Sequence, residues 1–167
     1  MEKLEYEWVK QARQTLLEQC RELSEGDLTK EFAFGFQNIR DSLVHVAGCY
    51  HVWLGSFVLS ETSSPLFTKE VINTMKIDDI QHYFQQADRY VEKVLEQFTD
   101  RFDESIEKEL AWRANSGLVR KTPRQLLVHS ITHESHHKGQ IVVMLRLLGH
   151  TPKNTDILGL PEKEPFK

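Results

Sequence analysis

The chain has 167 residues, of which 40% are hydrophobic and 28% charged, with a formal net charge of −4. That length suits one domain with a proper core, and a single domain over 1–167 is expected. Its lysines and arginines are scattered with no basic stripe, which argues against a general nucleic-acid binder. No run approaches the roughly 18 apolar residues of a membrane span.

From the N-terminus, Met1-Glu2-Lys3-Leu4-Glu5 is charged where a signal peptide is apolar, so the cytoplasm is the expected location. Leu4, Trp8, Ala12, Leu16, Cys20 and Leu23 recur every three or four residues and predict a first helix over 3–24, ended by Gly26-Asp27. Phe32-Ala33-Phe34-Gly35-Phe36 alternates like a strand but has no partner, and reads as an ordered loop on a helical body. A second helix is expected over 38–59, with His45, Cys49, Val52, Trp53 and Ser56 on its inward face. The turn formers at 60–65 close it. After a linker, Asp78-Asp79 opens a third helix to about residue 98, with Ile80, Phe84, Ala87, Val91 and Val94 inward. Residues 100–121 lack a helical period, and Asn115-Ser116-Gly117 is a good turn, so a short hairpin or extended flap is expected there.

The fourth helix has the clearest start. Thr122 caps it, Pro123 takes the first helical position, and Gln125 follows three residues after the cap. It should reach Leu148, with Gly149 as its C-terminal cap, before an extended tail over 150–167. Four helices of about 20 residues make an all-α four-helix bundle with irregular connections, an architecture that builds metal sites from facing helices. Two cysteines do not form a disulfide framework. Cys20 and Cys49 both fall at core-like positions, where a thiol acts as a small hydrophobe, although Cys49 is one turn from His45 and a soft extra ligand is the alternative.

The chemistry is concentrated in His133-Glu134-Ser135-His136-His137-Lys138-Gly139-Gln140. Histidines four apart on a helix project from one face and suit a shared transition-metal ion. Leu126, Ser130, His137, Ile141, Met144 and Leu148 lie within about 80° of His133 around the helix, so the pair sits on the stripe that should face the core. Imidazoles in an apolar interior need hydrogen bonds or a metal to offset desolvation. If the second and fourth helices are neighbours, His45 can join His133 and His137. Two other readings compete. The histidines can be polar core residues held by ordinary hydrogen bonds, or the H-E-x-x-H match can mark a zinc peptidase with Glu134 as general base. The peptidase context is poor: Gln140 and Val143 replace the glycine and histidine of the metzincin extension, Glu162 and Glu164 lie in a proline-rich tail, and Glu134 is expected on the outer face.

The run from Leu127 to Asp156 resembles the DinB/YfiT-like superfamily, whose last core helix carries an H-x-x-x-H-x-G-Q-like signature before an L-R-x-L-G helix end. Ile39-Arg40-Asp41-Ser42-Leu43-Val44-His45, ahead of Trp53-Leu54, is similar to the family's second helix. The resemblance implies an up-up-down-down bundle, a divalent metal (nickel or zinc) on His45, His133 and His137, and a homodimer. It further implies a small-molecule enzyme, either a transferase using a low-molecular-weight thiol or a hydrolase, with a non-enzymatic metal-binding or stress-related protein as the alternative. His129 is then a candidate for orienting a ligand, His136 a polar residue near the helix edge, and Gln140 a local hydrogen-bonding partner. Tyr50, Trp53 and Trp112 are either core or the lining of an apolar entrance, and Glu61 and Asp41 are candidate acids without a secure place.

Overall fold

Four long helices carry the hydrophobic periodicity, and the connections between them hold the unexpected elements. The structure is a computed structural model, and it describes residues 2–160. Helix α1 (Lys3–Arg21) stops short of the expected end because Ser24 starts a new helix, α2 (Glu25–Thr29), its hydroxyl accepting from the Asp27 amide at 3.1 Å. Gly26-Asp27 therefore belongs to a helix rather than ending one. The expected loop follows, closed by Phe32 N–H donating to the Gln37 carbonyl at 2.6 Å. Helix α3 (Ile39–Tyr50) is capped by Asn38, whose Oδ1 accepts from the Asp41 amide at 2.8 Å.

The second predicted helix is continuous but not uniform. After Tyr50 it widens into a π-helix, His51–Val58, and the Leu59 amide reaches back five residues to the Leu54 carbonyl at 3.0 Å. Gly55 sits where a Cβ would lie 2.5 Å from the Tyr90 ring, so the widened turn and the missing side chain together admit that tyrosine. The linker contains a short helix, α4 (Lys69–Thr74), which had no periodic signal. Helix α5 (Ile77–Gln97) is the third predicted helix. The hairpin is present: β1 (Ile106–Lys108) pairs antiparallel with β2 (Val119–Lys121), Ile106 opposite Lys121. Helix α6 (Pro123–Leu147) starts with Thr122 Oγ1 accepting from the Gln125 amide at 3.1 Å, and Gly149 at φ 88° follows its end. Gln19 holds the start of the tail through the Thr151 carbonyl and the Lys153 amide, at 2.9 and 3.0 Å. Pro161, Glu162, Glu164 and Pro165 lie outside the described residues.

Helices α1 and α3 each contact both α5 and α6. The connections between the long helices span 22–38, 59–76 and 98–122, and they contain α2, α4 and the hairpin respectively. The buried apolar residues, among them Leu17, Ile39, Leu43, Phe84, Leu127, Ile141 and Met144, form one core cluster along the common axis. No helix among the described residues is long and apolar enough to cross a membrane.

One layer of this core is ionic. Arg13 of α1, 4% exposed, donates through Nε to Glu134 Oε1 of α6 at 2.9 Å and through Nη1 to Asp88 Oδ1 of α5 at 2.7 Å. The Tyr6 hydroxyl donates to Asp88 Oδ1 and the Tyr50 hydroxyl of α3 to Glu134 Oε2, both at 2.6 Å. Burial, with the neighbouring carboxylates and against the opposing effect of Arg13, pushes both phenols well above their ordinary values, so both remain donors. All four long helices meet in this one network. Removing Arg13 leaves the buried Glu134 carboxylate without its counter-charge. Arg13→Met is expected to lower the unfolding free energy by about 3–5 kcal/mol in urea titration, while Lys3→Met, which breaks the exposed Lys3–Glu96 pair, should leave the midpoint in place.

The imidazole of His51 is buried at the start of the π-helix, stacked on Tyr83 and bonded through Nε2 to the Tyr83 carbonyl at 2.9 Å. Burial holds it down at about 4, against 6.5 for a free imidazole. Between those values the unfolded chain takes up the proton and the folded one does not. The stabilisation is therefore present above pH 6.5 and is lost as pH falls towards 4, at up to about 1.4 kcal/mol per pH unit. Urea titrations of metal-free protein at pH 7.5 and 4.5 should record that loss, and His51→Phe should reduce it.

Candidate metal centre

Helix α6 presents His133 and His137 one turn apart on the side packed against α3, and α3 presents His45 to meet them. One ring nitrogen from each of the three lies within 4.8 Å of the others, a group that can hold a metal ion. The ring centroids are 4.8 Å apart for His45–His133, 4.9 Å for His45–His137 and 4.4 Å for His133–His137. Nε2 of His45 and Nε2 of His133 approach to 2.8 Å. Two nitrogens bound to one first-row ion at about 2.0–2.1 Å sit roughly 3 Å apart, so this spacing suits shared coordination with little rearrangement. His45 and His133 are half-buried and His137 is buried.

Electrostatics keep the cluster in the form a metal requires. Burial, with His133 and His137 alongside, holds His45 down at about 4; burial, with His137, His129 and His136, does the same for His133. Burial also lowers His137, against the opposing effect of its bond to Gln140. All three are neutral at pH 7, which leaves a lone pair on each ring.

Neighbouring side chains orient the rings. Nδ1 of His137 lies 2.7 Å from Gln140 Oε1; the amide oxygen accepts, so the proton is on Nδ1 and Nε2 is free for the centre. The other end of that amide lies 3.1 Å from Nε2 of exposed His136. Gln140 thus has the hydrogen-bonding place expected for it. Phe36, from the 30–38 loop, stacks on His45 with centroids 3.7 Å apart and planes at 22°, and meets the edge of His137 at 5.7 Å. Gly35, at φ 61°, lies where a Cβ would come within 2.9 Å of Gln140 Oε1. The loop is part of the site, which its alternating pattern did not indicate.

Glu134 is corrected. It faces inward at 5% exposure, and its carboxylate is occupied by Arg13 and Tyr50. The buried arc of α6 is wider than one stripe because α1 covers the side next to the one that α3 covers. A carboxylate so engaged does not serve as a peptidase base. Asp41 is bound by Asn38 and Lys69, and Glu61 by Lys93 at 2.7 and 2.8 Å. Tyr50 belongs to the core network and not to an entrance. Trp53 meets Trp112 edge-on at 5.4 Å and the edge of exposed His129 at 6.1 Å. Cys20 and Cys49 are free and buried, as expected of small hydrophobes, and burial pushes both thiols up to about 12. Cys49 nevertheless has its Sγ within 4.8 Å of a ring nitrogen of both His129 and His133, a second group that could hold an ion.

An all-α bundle with a three-histidine group across its second and last long helices defines a class, and the chain belongs to the DinB family, whose family model matches residues 1–165. Among its relatives are the uncharacterized protein YizA of Bacillus subtilis, 26% identical over 160 residues (95% of this chain, 94% of the relative). Protein DinB of the same organism is 27% identical over 157 residues, covering 90% of this chain and 88% of the relative.

Gln140→Leu removes the acceptor that sets the His137 tautomer while keeping the side chain's bulk. It is expected to weaken metal binding about 10–100-fold without unfolding the bundle. Gly35→Ala should act in the same direction by pushing Gln140 away. Calorimetric titration of the metal-free proteins checks both.

Proposed function

We propose that this chain is a metal-dependent enzyme acting on a small-molecule substrate, with one divalent transition ion, nickel or zinc, held by His45, His133 and His137. The observation that carries the reading is the convergence of three neutral imidazoles from two helices, with two Nε2 atoms 2.8 Å apart. Three protein donors leave coordination positions for solvent or substrate, the arrangement of a catalytic rather than a structural site. When bound, such an ion lowers the pKa of water or of a thiol and so supplies a nucleophile at neutral pH. The reaction class we assign is S-transfer with a low-molecular-weight thiol, or hydrolysis.

The residues of the chain divide the remaining work. Gln140 keeps Nε2 of His137 aimed at the centre, and Phe36 keeps water off one face of His45. The bonds from Arg13 and Tyr50 to Glu134 hold the rotation of α6, and with it the direction of His133. We also propose a homodimer, which size-exclusion chromatography with light scattering tests directly.

Metal analysis of untagged protein should find about one ion per chain in the wild type, and His45→Ala, His133→Ala and His137→Ala should each lose it. Product formation that needs both metal and thiol marks the transferase, and formation that needs metal alone marks the hydrolase. Metal bound tightly with neither activity would replace the enzyme reading by a metal-binding role. No metal after reconstitution would return the histidines to polar core residues.

A further inference from the structure

The three-histidine group does not use all the donors at this end of α6. Cys49 lies one turn beyond His45 on α3, and His129 lies one turn before His133 on α6. One ligand atom each from Cys49, His129 and His133 lies within 4.8 Å of the others. The Cys49 sulfur makes a long contact to Ser130 Oγ at 3.9 Å, which is weak enough for an ion to replace. The His129 ring stacks over His133 with centroids 5.5 Å apart, and its exposure opens this set to solvent.

We propose that Cys49, His129 and His133 form a second metal position, specific for a soft thiophilic cation such as Cu(I), which overlaps the three-histidine centre through His133. The donor chemistry separates the two positions. Three imidazoles suit borderline ions, whereas replacing two of them by a thiolate and a different imidazole favours a soft ion. On binding, the sulfur–metal bond forms as the Cys49 S–H proton leaves for solvent, with no change of oxidation state. A neutral imidazole has one lone pair available, so His133 serves one ion at a time and the two positions exclude each other. The same pocket would thus respond differently to different metals.

Cadmium is the practical probe, because a thiolate bound to Cd(II) gives an ultraviolet charge-transfer band that imidazole ligation does not. Metal-free protein titrated with Cd(II) should develop this band and saturate at one equivalent. Cys49→Ser should abolish it, although Cys20 remains. His129→Ala, a change at an exposed position that leaves the core intact, should weaken Cd(II) binding by at least an order of magnitude. His45→Ala should keep the band, since it removes only a ligand of the other group. Prior loading with Ni(II) should shift the Cd(II) midpoint upward. A wild type that binds Cd(II) without the band would overturn the proposal, as would a band indifferent to His129→Ala. Loss of the band in His45→Ala would make Cys49 a fourth ligand of a single centre and likewise sink it. Failure of the three-histidine reading is a separate result: no Ni(II) binding, with the Cys49-dependent Cd(II) band intact.

Discussion

The rotation of α6 about its own axis decides whether His133 and His137 face His45, and the buried bonds to Glu134 set it. Glu134 directly follows His133, so its carboxylate and that imidazole point about 100° apart around the helix. With the carboxylate held by Arg13 on one side and Tyr50 on the other, His133 and His137 are turned towards His45. Desolvating these ions is costly, and the bonds that offset the cost are made with α6 turned so that Glu134 reaches both Arg13 and Tyr50. The guanidinium has partners on Nε, Nη1 and Nη2, including the Tyr6 hydroxyl at 3.1 Å, so little of its hydrogen-bonding capacity goes unmet in the interior.

How far the sequence could be read follows from which interactions are local. His133 and His137 were legible because their spacing is a property of a single helix, and His45 because it shares a face with Cys49 and Val52. The start of α6 was legible from Thr122, Pro123 and Gln125, and the hairpin from Asn115-Ser116-Gly117, where Asn115 and Gly117 both adopt positive φ. Glu134 was misassigned because a charged residue beside an apolar stripe belongs to solvent by default, and its partner is 121 positions away. A signal did exist: Arg13 sits beside Ala12 and one turn before Leu17 on the buried side of α1, where a lone cation needs a counter-charge. Phe36 and Gly35 had no such marker. Their role depends on the path of a loop across α3 and α6, which no periodicity records.

The short helices illustrate a different limit. The segments α2 and α4 are five and six residues long, too short for a hydrophobic repeat to show. Both are tied to the bundle by one side chain, Arg40, which pairs with Glu25 and donates to the Asn73 carbonyl at 2.8 Å. Arg40 lies at the start of α3, one turn before the residues that lead to His45. The connections on either side of that helix are thereby fixed to the element that carries His45.

The π-helical stretch His51–Val58 gives one continuous rod two independent phases. Before it, α3 aims His45, Cys49 and Tyr50 at α6. Within it, the widened turns meet α5 and α6 on a different winding, with Leu54 and Phe57 buried and Gly55 against Tyr90. Deleting one residue from an ordinary helix swings everything downstream by about 100°. Within 51–58 the same deletion would instead relax the widened turns towards α-helical winding, at the expense of the space made for Tyr90. This stretch is therefore where the rod can lose one residue while the side chains on both sides of it keep their faces.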